Sequence, residues 1–356
     1  MKGDKEFKLE NHVIGVKHTP FIVAEMSGNH KQSLDKALQI VDAVAQAGAH
    51  AIKLQTYTAD TMTLKVEREE FYIRDPKSLW AGRHLYDLYH EAYTPWEWHK
   101  PIIERAKEKK LICFSTPFDE TAVDFLETLE VPCYKIASFE NTDIMLLKKV
   151  AKTGKPVFIS TGMASLEDLS LMTNTLRNAQ CDNFVLLKCT SAYPASPSDI
   201  NLKTMLHLSD MFDCLVGLSD HTMGIGVPIA AVTLGARVIE KHVCLSRAEG
   251  GVDSAFSLEP QELKLLVEET KCAWLSVGKV SYQCSKTEEK SKQFRRSIYF
   301  VKDLKEGELI SNDSIRCVRP GYGLEPKYFY QIIGQRLKIA VSSGMPVKLE
   351  YIEHCQ

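Results

Sequence analysis

Two histidines, His221 and His242, close two short apolar runs, LVGLSDH and RVIEKHV, with Asp220, Glu240 and Lys241 beside them. Imidazoles brought together by neighbouring strands make a partly filled set of metal ligands, with positions left open for water and substrate. The plainer reading of the same pattern is two strand-end histidines, each hydrogen-bonded locally. Other reactive side chains recur in the same way. Glu25 ends FIVAE, Lys53 and Gln55 end AIKLQ, Ser115 and Thr116 end LICFST, and Lys135 and Ser138 lie in CYKIAS. Ser160 and Thr161 end PVFIST, and Lys188 and Thr190 end FVLLKCT. An ammonium inside an apolar strand is costly unless something pairs it. Lys53 and Lys135 each sit within such a run, which argues against reading them as surface lysines.

The elements that would gather these groups are legible from periodicity. Eight β-rich runs alternate with amphipathic stretches of helical length, the first of them SLDKALQIVDAVAQAGA, apolar at i, i+3, i+4 and i+7 and stopping near Gly48. Eight strand–helix pairs predict an α/β fold, a (β/α)8 TIM barrel, in which all strand C-termini meet at one mouth. An open doubly wound sheet would not need eight pairs, and no G-x-G-x-x-G follows the first run. One polar strand end is a satisfied loop residue; eight out of eight predict an enzyme. The barrel reading covers residues 1–280, a polar linker 281–293, and a compact β-rich module 294–356. A module of about sixty residues is at the small end for an autonomous core and is expected to dock on a neighbour.

Bulk properties exclude several classes. A formal net charge of −2 gives no footprint for nucleic acid or an anionic membrane, and no apolar stretch reaches bilayer length. The ten cysteines show no C-x-x-C pair, which suits reduced thiols in a cytoplasmic protein. The stretch from Thr58 to Pro95 is too long for a plain loop. Its aromatic residues Phe71, Tyr72, Trp80, Tyr86 and Tyr89 form either a lid over the mouth or a satellite core.

Taken together, AEMSGNH, KLQTYTADTMT, YTPWEWH, STPFD, YKIASFENTD, STGMA, GLSDHT and EKH resemble the sialic acid synthase family, the nonulosonic acid synthases. The tail resembles that family's antifreeze-like (SAF) domain, and RPGYG its substrate loop. The likeness spans almost the whole chain. It implies condensation of phosphoenolpyruvate with an amino-sugar aldehyde. It also implies that Lys53, Thr116, Lys135, Ser138, Tyr193, Ser219 and His221 hold phosphoenolpyruvate; Gln55 is a further candidate for substrate binding, and Glu140, just past the fourth run, a candidate for sugar hydroxyl or amide groups. Glu25 would orient or deprotonate water, and His221 and His242 would ligate one divalent metal ion (Mn2+, Co2+ or Mg2+). Arg319 would reach the barrel of a partner chain in a domain-swapped homodimer. Ser191 stands where the family pattern has asparagine. Within the family, EMSGNH and KLQTYTADTMT resemble the pseudaminate-forming branch, with neuraminate and legionaminate synthesis as alternatives. Two rivals from other classes are a Schiff-base aldolase using Lys135 or Lys188 and a non-catalytic carbohydrate-binding protein acting through the tail.

Overall fold

Residues 5–353 are described by the computed structural model. An antiparallel hairpin, β1 (Glu6–Leu9) and β2 (His12–Gly15), precedes eight strands: β3 (Phe21–Glu25), β4 (Ala51–Thr56), β5 (Ile112–Pro117), β6 (Tyr134–Ile136), β7 (Val157–Ser160), β8 (Phe184–Cys189), β9 (Leu215–Asp220) and β10 (Val238–His242). These eight pair in chain order and β10 closes onto β3, so the barrel is complete and its neighbours all run parallel. Several of the intervening helices start on side-chain caps supplied by the loops after the strands. Ser33, Asp119, Asp143 and Ser165 each accept a backbone N–H in the first turn of the following helix. The helix Leu34–Gln46 stops just before Gly48, whose φ of +81° is the left-handed turn-off anticipated there.

Period-two alternation sorts the strand residues into two cores. One alternate set, with Ile22, Ala24, Ile52, Leu54, Ile159, Leu186, Leu218 and Ile239, packs outward into the helix layer. The other set, with Phe21, Val23, Ala51, Ile112, Phe114, Cys133, Phe158, Val185, Leu187, Leu215 and Val238, fills the barrel interior. Two residues further along these inward rows stand Glu25, Lys53, Thr116, Lys135, Ser160, Cys189 and Glu240. The same geometry that makes the lower barrel a dry core therefore makes its mouth polar. The hairpin was not anticipated from sequence. Phe7, Leu9 and Ile14 join the inner cluster from the opposite end and close the barrel floor. Its strands have only four residues each, too short for a periodic signal.

The chain divides into two compact units, Met1–Gly278 and Lys279–Gln356. The second holds the antiparallel pair β11 (Ser297–Phe300) and β12 (Ile315–Val318). Ile298, Phe300, Ile310, Ile315, Ile332, Leu337, Val341, Val347 and Ile352 form a core of its own. The polar run ahead of it contains a short exposed helix, Lys286–Ser291, capped by Ser285. Among the described residues no helix is long and apolar enough to cross a membrane.

Candidate active site at the barrel mouth

Four charged side chains meet inside the mouth, all of them buried. Lys53 pairs with Glu25, donates to Thr116 Oγ1 at 3.0 Å and lies 4.0 Å from Glu240 Oε2. Lys135 Nζ is 3.2 Å from Glu240 Oε1, which also accepts from Ser219 Oγ at 3.1 Å. Gln55 Nε2 donates to Glu25 Oε1 at 2.9 Å. Glu240 is thus the hub. Burial works against its charge, yet Lys135 and Lys53 more than offset this and hold it below the ordinary carboxylate range. Glu25 has less support: burial pushes it up to about 7 despite Lys53. For Lys53 the burial penalty is overcome by Glu240 and Glu25, whereas burial prevails at Lys135 and lowers it. Two lysine ammonium groups beside hydroxyl donors at this mouth suit an anion.

The histidines stand beside this cluster, with ring centroids 5.4 Å apart. His221 Nδ1 lies 3.0 Å from the Thr190 carbonyl, which can only accept. That bond assigns one proton to Nδ1, and the lone pair at Nε2 is free in the neutral form; against burial, Cys189 and the Thr190 carbonyl raise His221 above the ordinary imidazole range. His242 is buried, its Nδ1 has no hydrogen-bond partner, and Asp253 Oδ2 is 3.7 Å from it. Burial drives His242 well below the ordinary imidazole range, so it is neutral, the form a metal ligand needs. An orphaned buried imidazole nitrogen and a second imidazole anchored through its far nitrogen fit a divalent ion. Among the described residues no third histidine, cysteine or carboxylate completes a protein-only ligand set.

The walls follow. Tyr193 packs on His221 at 4.4 Å, on Phe256 at 5.4 Å and on Trp80 at 5.6 Å between ring centroids. Trp80 Nε1 donates to the Val252 carbonyl at 2.9 Å, tying the long insert to the loop after β10. The insert divides its aromatic residues between both roles weighed from sequence. Trp80 reaches the mouth, while Phe71 and Tyr72 pack locally on His84. Ser138 and Ser191 share a hydrogen bond of 2.7 Å. A Cβ at Gly162 (φ +38°) would fall 2.2 Å from Ser138 Cβ, so only glycine lets these loops meet. Glu140 is pushed up to about 7 by burial, and its Oε2 has no partner. Arg319 belongs to the second unit, where it is exposed. A concavity of about 820 Å³ lies at the other end of the barrel among Val16, Leu215, Arg237 and Trp274, and contains none of these residues.

Sequence reasoning noted Glu240 only as a strand-end charge, although its position two residues before His242 places both on one strand face. Asp253 and Phe256 were missed. They lie in an irregular loop, where no periodic pattern marks them.

Comparison with known proteins agrees with the fold. The NeuB family pattern matches residues 40–282, and the SAF domain pattern matches residues 295–353. The pseudaminic acid synthase of Campylobacter jejuni (strain 81-176) is 41% identical over 328 residues, 92% of this chain and 95% of that protein. The N,N'-diacetyllegionaminic acid synthase of Legionella pneumophila is 38% identical over 346 residues, 95% of this chain and 96% of that protein. The crystal structure of an N-acetylneuraminic acid synthetase from Leptospira borgpetersenii superposes with a TM-score of 0.72 at 32% identity, covering 81% of this chain and 95% of that one. A buried lysine–carboxylate cluster beside two histidines at a barrel mouth is thus met in a chain that belongs to the NeuB family, an enzyme whose barrel is followed by a SAF domain.

Proposed function

We propose that this enzyme condenses phosphoenolpyruvate with 2,4-diacetamido-2,4,6-trideoxy-L-altrose, giving pseudaminic acid and phosphate. The observation that carries the reading is the convergence of two buried lysines and two histidines on one mouth. The choice of branch rests on the 41% identity with pseudaminic acid synthase, against 38% with the legionaminic acid enzyme. Lys53, Lys135, Thr116, Ser138 and Ser219 receive the phosphate and carboxylate, and Ser191, hydrogen-bonded to Ser138, belongs to the same group. Glu240 holds the two ammonium groups in place between turnovers. Carbon 3 of phosphoenolpyruvate attacks the aldehyde carbon of the open-chain sugar, cationic character builds at carbon 2, water adds there, and phosphate leaves with its bridging oxygen. Glu25, poised near 7, takes the proton from that water. His221 and His242 would hold a divalent ion (Mn2+, Co2+ or Mg2+), which would supply a Lewis acid for the aldehyde. Glu140, with an unpartnered carboxylate oxygen, accepts from a sugar hydroxyl or amide.

Phosphate release against a panel of sugars tests the assignment. The diacetamido altrose should be preferred by kcat/KM over N-acetylmannosamine, which has a 6-hydroxyl and no 4-acetamido group, and over the legionaminate precursor. If N-acetylmannosamine proves the better substrate, the pseudaminate reading is wrong and the neuraminate one replaces it.

Replacing Lys135 by Met tests the anion pocket. Glu240 keeps Lys53 and Ser219 as partners, so the fold should survive. Hydrogen bonds to charged groups are worth about 1.5–3 kcal/mol, so KM for phosphoenolpyruvate should rise roughly tenfold or more. An unchanged KM would place the substrate elsewhere.

A further inference from the structure

Directly behind the two histidines, on the outer face of the barrel, lies a buried ion pair that the proposed chemistry does not use. Alternation turns Ser219 and His221, like Glu240 and His242, toward the mouth and sends Asp220 and Lys241 outward. β9 and β10 pair with Lys241 opposite Asp220, and the next residue on each side is a histidine. Lys241 Nζ donates to Asp220 Oδ2 at 2.7 Å and to the Thr222 carbonyl. Asp220 also accepts from the Thr222 amide at 3.1 Å and its hydroxyl at 2.9 Å. These bonds all fall on residues 220 and 222, which bracket His221. Both charged side chains are fully buried. A buried ion pair is a weak source of stability, because apolar residues of similar volume commonly do as well or better. Stability alone therefore does not account for it.

We infer that Asp220 and Lys241 are positioning residues: they clamp the 220–222 turn to β10 and so fix the separation of the two imidazoles for a divalent ion. His221 is held from the front by the Thr190 carbonyl and from behind by this clamp. His242 has no bond at Nδ1, so its placement depends on the backbone of β10, where Lys241 precedes it. The inference rests on the reading of His221 and His242 as metal ligands.

The test uses full-length apoprotein titrated with Co2+, followed by visible absorption and by competition with a chromophoric chelator. Removing one partner alone would strand a buried charge, so the main variant is Lys241→Met/Asp220→Asn. It removes both charges and keeps an acceptor for the Thr222 amide. The folded double variant should bind Co2+ at least tenfold more weakly and with an altered absorption band. Should it not fold, Thr222→Val, which removes the hydroxyl bond to Asp220 and leaves both charges paired, is read in the same way. Co2+ affinity and spectrum unchanged from the wild type would overturn the clamp while leaving the metal reading intact. A wild type that takes up no Co2+ overturns both.

Discussion

Alanine at either His221 or His242 should reduce kcat/KM by roughly a thousandfold or more, since a Lewis acid contributes several kcal/mol and each ~1.4 kcal/mol is a factor of ten. In the wild type, chelation should abolish turnover and added Mn2+ or Co2+ restore it. Neither variant should be rescued at ordinary metal concentrations. For His242→Ala the loss should fall on chemistry rather than on anion binding. Lys53, Lys135, Glu240 and Ser219 are bonded to one another and to neither imidazole, so that variant should still hold phosphoenolpyruvate, whereas His221→Ala also removes one of the contacts expected to it. Direct titration of the variants with phosphoenolpyruvate checks that separation. Full activity in chelated wild-type enzyme would end the metal reading, whatever the variants did.

How much of this was legible beforehand depends on what kind of signal each residue sends. The barrel followed from eight apolar runs with helical stretches between them, and the polar mouth from charges recurring where those runs end. Period two then places Glu25 above Val23, Lys53 above Ala51, Lys135 above Cys133 and Glu240 above Val238, so the gathering of these groups follows from the apolar rows beneath them. The cost of a buried ammonium set Lys53 and Lys135 apart from surface lysines; only the structure shows that Glu25 and Glu240 are their partners. β6 shows the limit of the pattern, since the apolar run CYKIAS yields only three strand residues. Asp253, Phe256 and the Trp80 contact to Val252 join segments far apart in sequence through irregular backbone, which leaves no periodic trace. The rival readings fare differently. Family membership makes the chain an enzyme and removes the purely carbohydrate-binding alternative. Lys188, offered as a Schiff-base nucleophile, donates to the Cys189 carbonyl at 2.7 Å, and family membership favours phosphoenolpyruvate chemistry over a Schiff-base aldolase.

Mixing a Glu25→Ala chain with an Arg319→Ala chain, each inactive alone, should restore activity after subunit exchange. Random exchange makes half the dimers mixed, each with one complete site of two, so about a quarter of wild-type activity is the ceiling for a two-fold assembly. The proposal that Arg319 serves a partner's barrel draws on features of each unit taken separately. In the second unit, Ser297 Oγ donates to the Pro320 carbonyl at 2.7 Å and accepts from the Gly323 amide at 2.9 Å, which holds the loop bearing the exposed Arg319. A Cβ at Gly323 would lie 2.3 Å from the Ile298 carbonyl oxygen, so the loop can lie flat on β11 only because that residue is glycine. In the barrel, Phe139, Met163 and Met223 stand 58%, 62% and 54% exposed on the loops after β6, β7 and β9. Apolar side chains gathered around one rim are what a docking partner would cover. Arginine suits the task because its planar fork bonds hydroxyl, amide and carboxylate oxygens while staying charged. If the exchanged mixture stays inactive although mass analysis shows mixed dimers, Arg319 serves its own chain or no site at all. Should the protein sediment as a monomer at assay concentration with full activity, sharing between chains is excluded.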